Sequence, residues 1–411
     1  MVLGKVDDEE LLNVKDLTVR FYTYEGIVKA VERANLRLRK GETLGIVGET
    51  GSGKSVTAFT IIALTPPPGR VEDGTIYFRK SRGDVVDIVK LQEVELLKIR
   101  GKEISMIFQE PNAALDPLYT VGDQIAEAIL SHRLHEMLER AITLVKRDLE
   151  KGNNEFATRL EFWSYQKMLK NLNHPILAIL KKIPIIKNLM DRRLRQVVRE
   201  EIIELLKLME IPDPERVINA YPHELSGGMQ QRIVIAIALA CSPTLLLADE
   251  PTTSLDVTIQ AQIIDLIMRL KRKLGMSIIY ITHDMGVIAE ISDRIAVMYA
   301  GSVVEVAPVK ELFKNPLHPY TRALLESIPR PGSPFKSIPG TVPNLVNPPG
   351  GCRFHPRCPY AMEICKYEAP KLIQHSKDHY IACFLYGGEN NGERCGSSKP
   401  EEILPDKGRS I

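Results

Sequence analysis

The sequence predicts an α/β fold: an open-sheet core, an antiparallel β layer beside it, a helical middle and a small irregular cysteine-bearing end. Three observations predict it. GETGSGKS, residues 48–55, lies between an apolar strand-type run (43–47) and an apolar helix-type run (56–64). Two more apolar runs, 104–108 and 244–248, end in polar side chains, where open α/β sheets bind ligands. Five of the six cysteines lie beyond residue 350, in a Pro- and Gly-rich stretch.

The 411 residues suit about two or three domains. With 44% hydrophobic and 26% charged residues the chain can bury a sizeable core. A net charge of +2 gives no bulk attraction for nucleic acid. The longest apolar stretch, 233–248, is broken by Ser242-Pro243 and is too short to span a bilayer. MVLGKVDDEE is acidic and carries no signal-peptide core, so a cytoplasmic chain is expected.

Residues 12–21 and 28–39 alternate apolar and polar, as half-buried strands do. Lys40-Gly41-Glu42 turns into the strand before the loop, and Asp73-Gly74 opens another short strand, 75–79. Phe21, Tyr22 and Tyr24 form an aromatic cluster; one ring can stack on adenine or simply pack the strand. In the loop, Gly48, Gly51 and Gly53 let backbone N–H groups turn inward on an anion, and the following helix adds its positive end. Lys54 reaches β- and γ-phosphates, and the Ser55 hydroxyl can ligate Mg²⁺. The strand 104–108 ends in Gln109. Pro117 and Gly122 precede a helix over 123–130.

Helical periodicity dominates 131–220. Ile202, Ile203, Leu205, Leu206 and Met209 form an apolar stripe stopped at Ile211-Pro212. Residues 131–200 hold 15 Lys+Arg against 8 Asp+Glu, net +7, and the only tryptophan, Trp163. HPILAILKKIPIIKNLM (174–190) is apolar with lysines. It suits an extra packed helical lobe better than a membrane-surface segment.

LSGGMQQR (225–232) opens a helix, with Ser226 as N-cap and Gly227 and Gly228 leaving bare N–H groups: a second anion site. The strand 244–248 ends in Asp249-Glu250. Asp249 suits a Mg²⁺ carboxylate and Glu250 a residue that polarises an attacking water. Ser254-Leu255-Asp256 follows in a loop. The strand 277–282 ends in His283-Asp284, placing His283 for a γ-phosphate contact. Residues 295–300 and 303–306 form a hairpin across Gly301-Ser302.

GETGSGKS, Gln109, LSGGMQQR, LLLADEP, SLD and ITHD occur in the order and spacing of an ABC-transporter ATPase, which the chain resembles over about 10–330. The resemblance implies a P-loop NTPase cassette with a RecA-like core, an antiparallel β subdomain and a helical subdomain. It implies that ATP is held by Gly48, Glu49, Thr50, Gly51, Ser52, Gly53, Lys54, Ser55 and Val56, with Phe21 against adenine. It implies Mg²⁺ on Ser55, Gln109 and Asp249. It makes Gln109 the Q-loop residue, Glu250 the catalytic carboxylate, His283 the switch histidine and Asp256 the D-loop acid. Ser226, Gly227, Gly228 and Gln230 would face the ATP of a partner cassette. The cassette would span 10–306, with its helical subdomain over about 111–240 and an extended basic stretch over 131–200.

PLHPYTRALLESIPRP (316–331) and PPGGCRFHPRCPYAMEIC (348–365) resemble the tail of oligopeptide/dipeptide importer ATPases. Cys352, Cys358, Cys365 and Cys383 supply four thiolates, which suit an iron–sulfur cubane or a tetrahedral zinc. The resemblance implies [4Fe-4S]. Cys395 is expected to be free and Cys241 to be a buried apolar residue. A small irregular domain is expected over 307–386 and disorder over 387–411. The implied function is ATP hydrolysis driving import of di- or oligopeptides, or of a related solute such as oligosaccharide. The implied partners are a second ATPase, a paralogue in a heterodimer, two transmembrane permeases and, through them, an extracellular solute-binding protein. The chain would sit peripherally on the cytoplasmic face of the membrane. The rival class is a soluble ABC ATPase acting on DNA or ribosomes. Too few residues separate the half-motifs for a DNA-repair coiled coil, and a single signature argues against the two-cassette translation type.

Overall fold

The computed structural model describes residues 8–151, 156–171, 190–253, 255–328 and 337–386. The chain forms two compact units, one of residues 1–91 and 277–411, the other of residues 92–276.

The first unit begins with two long strands, β1 (Glu10–Thr23) and β2 (Gly26–Arg39), paired antiparallel through a tight turn. β3 (Thr43–Val47) follows, buried along its whole length. The helix Lys54–Ile61 and the strands β4 (Gly69–Arg79) and β5 (Val85–Asp87) complete this segment. The antiparallel sheet runs β2-β1-β4-β5. β4 starts at Gly69, six residues before the expected strand. Its pairing with β1 runs from Phe21–Gly69 to Leu12–Phe78 and absorbs Asp73-Gly74 as an irregularity. The Asp-Gly signal that reads as a strand start is therefore a bulge within a longer strand.

The second unit carries β6 (Ile104–Ile107) and β7 (Leu245–Asp249), paired parallel with Ile104 opposite Leu245. Both are buried at every position and mostly apolar, as strands covered on both faces are. The helix expected over 123–130 is in fact Val121–Glu150, 30 residues long. Thr120 and Asp123 exchange backbone hydrogen bonds at its start, a capping box. It packs with the helices Phe156–Lys170 and Arg192–Leu208 through buried residues such as Met137, Ala141, Val145, Val197 and Ile202. Charge also stitches this lobe: Glu201 accepts from Arg133 at 2.7 Å and from Arg140 at 2.5 Å. Glu161, fully buried, accepts the Arg193 N–H at 3.0 Å. Part of the basic charge of 131–200 is thus spent on internal pairs. The stretch 172–189 and Cys395 lie outside the described residues.

The chain then returns to the first unit. β8 (Ser277–Ile281) and β9 (Arg294–Tyr299) flank β3, both parallel to it. β9 turns through Gly301 into antiparallel β10 (Ser302–Pro308). The tail is less irregular than its composition suggests. Helices Val309–Lys314 and Pro319–Glu326 precede two short strands, β11 (Ile373–Ser376) and β12 (His379–Ile381). β12 pairs with β10, so the tail extends the sheet in the order β11-β12-β10-β9-β3-β8. Among the described residues no helix is long and apolar enough to cross a membrane.

Candidate functional site

The phosphate loop joins β3 to the helix Lys54–Ile61. Its curvature needs glycine at two places. A Cβ on Gly48 would strike the Met298 carbonyl oxygen. Gly53 has φ 96° and a Cβ there would lie 2.6 Å from the Ala30 carbonyl oxygen. Lys54 is buried, its ammonium donating to the carbonyls of Gly48 at 2.8 Å and Glu49 at 3.1 Å. Ser52 is 1% exposed and its hydroxyl has no partner among the described residues. A buried unpaired hydroxyl costs about 1–3 kcal/mol, which an anion seated in the loop would recover. Thr50 and Gly51 are exposed at the rim, and Ser55 and Val56 are half-buried at the helix start.

Phe21 is half-buried near the end of β1, opposite Val28 and Gly69. Gly69 is where a Cβ would meet its ring at 2.8 Å, so the ring lies against backbone. Tyr22 is instead occupied, donating its hydroxyl to Glu72 at 2.7 Å, and Tyr24 is fully exposed. His283 is exposed just beyond β8, and Asp284 caps the next helix by accepting from Gly286 and Val287.

In the second unit the structure brings Gln109 and Glu250 together, from beyond the ends of the parallel pair β6 and β7. The Gln109 amide donates to the Glu250 carboxylate at 3.3 Å. Thr253, which the sequence reading passed over, donates to the same oxygen at 2.9 Å. Glu250 has φ 46°, a left-handed conformation unusual for a non-glycine residue and frequent at functional sites. Asp249 ends β7 at 2% exposure. A buried carboxylate and a serine hydroxyl are hard oxygen donors of the kind Mg²⁺ takes.

The helix Gly227–Leu239 starts at Ser226, whose side chain makes no capping bond. The expected hydroxyl cap is therefore corrected: Ser226 and Gly227 are exposed, and the Ser226 hydroxyl is not spent on its own helix. Gln230 braces the approach, donating to Pro222 O at 2.8 Å. A Cβ on Gly228 would sit 3.0 Å from Ile259. Asp256 caps the helix Val257–Leu274, accepting from the Ile259 N–H at 3.0 Å. Ser254 lies outside the described residues.

Cys352, Cys358, Cys365 and Cys383 are unbridged. Burial pushes the Cys383 thiol up to about 12 and Cys352 to about 11; negative charge on the other thiols adds to both shifts. Among the described residues, however, no group of three or more His, Cys, Asp or Glu is arranged to hold a metal ion. The expected ligand set is thus not drawn together as a ready-made metal site. Cys241 is half-buried and its thiol reaches Ala128 O at 3.5 Å, short of the full burial expected.

The sequence reading also missed Arg353 and Arg357, which lie between the first two of these cysteines. Arg353 donates to Lys29 O at 3.1 Å and Glu32 at 2.8 Å. Arg357 grips Glu49 of the phosphate loop at 2.8 and 3.2 Å. The partner is 308 residues away in sequence, and no local spacing announces it.

Residues 31–253 match the ABC transporter family, and residues 304–365 match the C-terminal region of oligopeptide/dipeptide transporters. The dipeptide transport ATP-binding protein DppD of Bacillus subtilis is 42% identical over 381 residues, covering 92% of this chain and 95% of that protein. The oligopeptide transport ATP-binding protein OppD of the same organism is 43% identical, covering 91% and 88%. DppD of Haemophilus influenzae is 41% identical, covering 91% and 94%. Among solved structures, a dimeric bacterial ABC transporter cassette is 26% identical with a TM-score of 0.51, covering 73% of this chain and 99% of its own.

Proposed function

The chain belongs to the ABC transporter ATPases, with the C-terminal region of the oligopeptide/dipeptide transporters, and from that premise we propose that it hydrolyses ATP to drive peptide import. The cassette occupies 10–306 and the cysteine tail 307–386. The observation that carries the chemistry is the Gln109–Glu250 contact, flanked by buried Asp249. Glu250 polarises the attacking water, and Gln109 and Thr253 hold its carboxylate in place. Lys54 leaves the loop carbonyls for the β- and γ-phosphates, and the Ser52 hydroxyl gains its missing partner there. Ser55, Gln109 and Asp249 would hold Mg²⁺, which neutralises charge on the transferring phosphoryl group. Phe21 offers its ring to adenine and His283 its imidazole to the γ-phosphate.

Exposed Ser226 and Gly227, with Gly228 and Gln230 behind them, meet the ATP of a second cassette, and Asp256 shapes the same seam. ATP then favours a closed pair and hydrolysis releases it. The second cassette is a paralogue. Two permeases take up the motion from the helical lobe, with an extracellular binding protein delivering solute. The chain sits peripherally, on the cytoplasmic face of the membrane. A solved cassette dimer in a post-hydrolysis state with ADP and phosphate, 26% identical, supports such a cycle.

For the tail, the reading is a [4Fe-4S] cluster on Cys352, Cys358, Cys365 and Cys383. Its support is the donor chemistry: four cysteines within one another's electrostatic influence, with the thiols of Cys352, Cys358 and Cys383 pushed up by burial, that a cationic iron centre would deprotonate. Zinc is the alternative.

The experiment is peptide uptake and ATP hydrolysis by the assembled transporter carrying Glu250→Gln. ATP binding should persist while turnover falls at least about 100-fold. Wild-type turnover would remove Glu250 from its role.

A further inference from the structure

Glu49 is an acid inside a loop built to receive anions. Left alone, its charge would oppose a triphosphate. The structure surrounds it instead. Its carboxylate takes two bonds from Arg357, at 2.8 and 3.2 Å. Its N–H donates to the Tyr320 hydroxyl at 3.0 Å. Its carbonyl accepts from Lys54 at 3.1 Å and from the Ser52 N–H at 3.1 Å. Arg357 is itself fixed: its side chain is 5% exposed and donates to Pro339 O at 2.7 Å and to the Tyr299 hydroxyl at 3.2 Å. Tyr299, Tyr320 and Phe354 pack together with ring centres 4.6 to 5.5 Å apart, forming an apolar wall behind the pair. Arg357, Phe354 and Tyr320 all come from beyond residue 306.

We propose that Arg357 is a positioning residue for ATP: from the cysteine tail it neutralises Glu49 and holds it back, so that the phosphate loop presents a positive face. The two-bond fork matters because a planar guanidinium fixes both oxygens of a carboxylate, which an ammonium cannot. The tail thereby becomes part of the nucleotide site without touching nucleotide. The inference rests on the phosphate-loop reading above.

The test is MgATP binding to the full chain by fluorescence competition, with KM and kcat for hydrolysis in the assembled transporter. Arg357→Met should raise the ATP Kd and KM about tenfold, the size of one partly screened charge–charge repulsion near a surface. Its kcat should stay within about twofold, because the attacking water is not touched. Adding Glu49→Gln to Arg357→Met removes the stranded charge and should restore most of the affinity. A merely structural arginine would not be rescued this way. Unchanged ATP binding in Arg357→Met, or a loss that Glu49→Gln does not relieve, overturns the proposal. If Arg357→Met fails to fold, Arg357→Lys serves. It should lose about two- to fourfold, again relieved by Glu49→Gln, and no loss or an unrelieved one overturns the proposal equally. Failure of the wild-type chain to bind ATP would instead sink the phosphate-loop reading itself.

Discussion

Lys54 shows what a single residue does before its ligand arrives. Its ammonium is buried and satisfied by two loop carbonyls, Gly48 O and Glu49 O. A buried cation without such partners would be costly, so the loop stores the charge in a place from which a phosphate can take it. Lys54→Ala should weaken ATP binding by at least about tenfold, since charge-assisted bonds to phosphate are among the stronger polar contacts. Titration of the full chain with MgATP checks it, and unchanged affinity would remove Lys54 from the site. Residues such as Lys54 and Glu250 are legible in sequence because their chemistry needs a fixed local spacing. Thr253 and Arg357 are not. Thr253 acts through a turn that brings its hydroxyl back three residues, and Arg357 through a fold that joins distant segments.

At the scale of elements, the buried strands β3, β6, β7 and β8 read clearly, because each is a short, mainly apolar run that leads into the phosphate loop or a polar ligand-type residue. β11 and β12 did not. All four residues of β11 are exposed, so no apolar pattern marks it, and the pairing of β12 with β10 spans more than 70 residues. That junction is sealed by Glu305, fully buried on β10. It accepts from His379 at 2.8 Å and from the N–H groups of Leu317 and His318 at 2.8 and 2.9 Å. Burial would raise the Glu305 carboxyl, but the bonds from His379 and these N–H groups prevail and lower it.

His318 caps the helix Pro319–Glu326 by accepting the Tyr320 N–H at 3.0 Å, which requires a neutral ring. Burial depresses it to about 4, against Glu305, which acts to raise it. A depressed folded-state value means the stabilisation is present above the unfolded value of 6.5 and is lost as pH falls toward about 4. Thermal melting of the wild type against His318→Asn should therefore show a gap near neutrality that closes across that window. A gap independent of pH would contradict this account of the tail junction.

On the scale of the whole molecule, each compact unit holds part of the chemistry. The unit of residues 1–91 and 277–411 holds the phosphate loop, Phe21, His283 and the cysteine tail. The unit of residues 92–276 holds Gln109, the signature helix, Asp249 and Glu250. The ordered set of motifs identifies the family from sequence, because six short patterns in one order leave little room for coincidence. The cargo is another matter. Nothing in a chain that binds ATP need touch a transported solute, so substrate identity has no physical signature in these residues.

This ATPase powers a membrane importer of peptides. The most direct measurement is anaerobic purification of the intact chain from native membranes, with partners identified by mass spectrometry and iron and sulfide determined on the same material. Two multi-span membrane proteins, a second ATPase and a solute-binding protein should be recovered with it, and about four irons per chain for a cubane cluster. Recovery of only soluble partners, ribosomes or DNA would contradict the transport assignment, and an absence of iron would contradict the cluster.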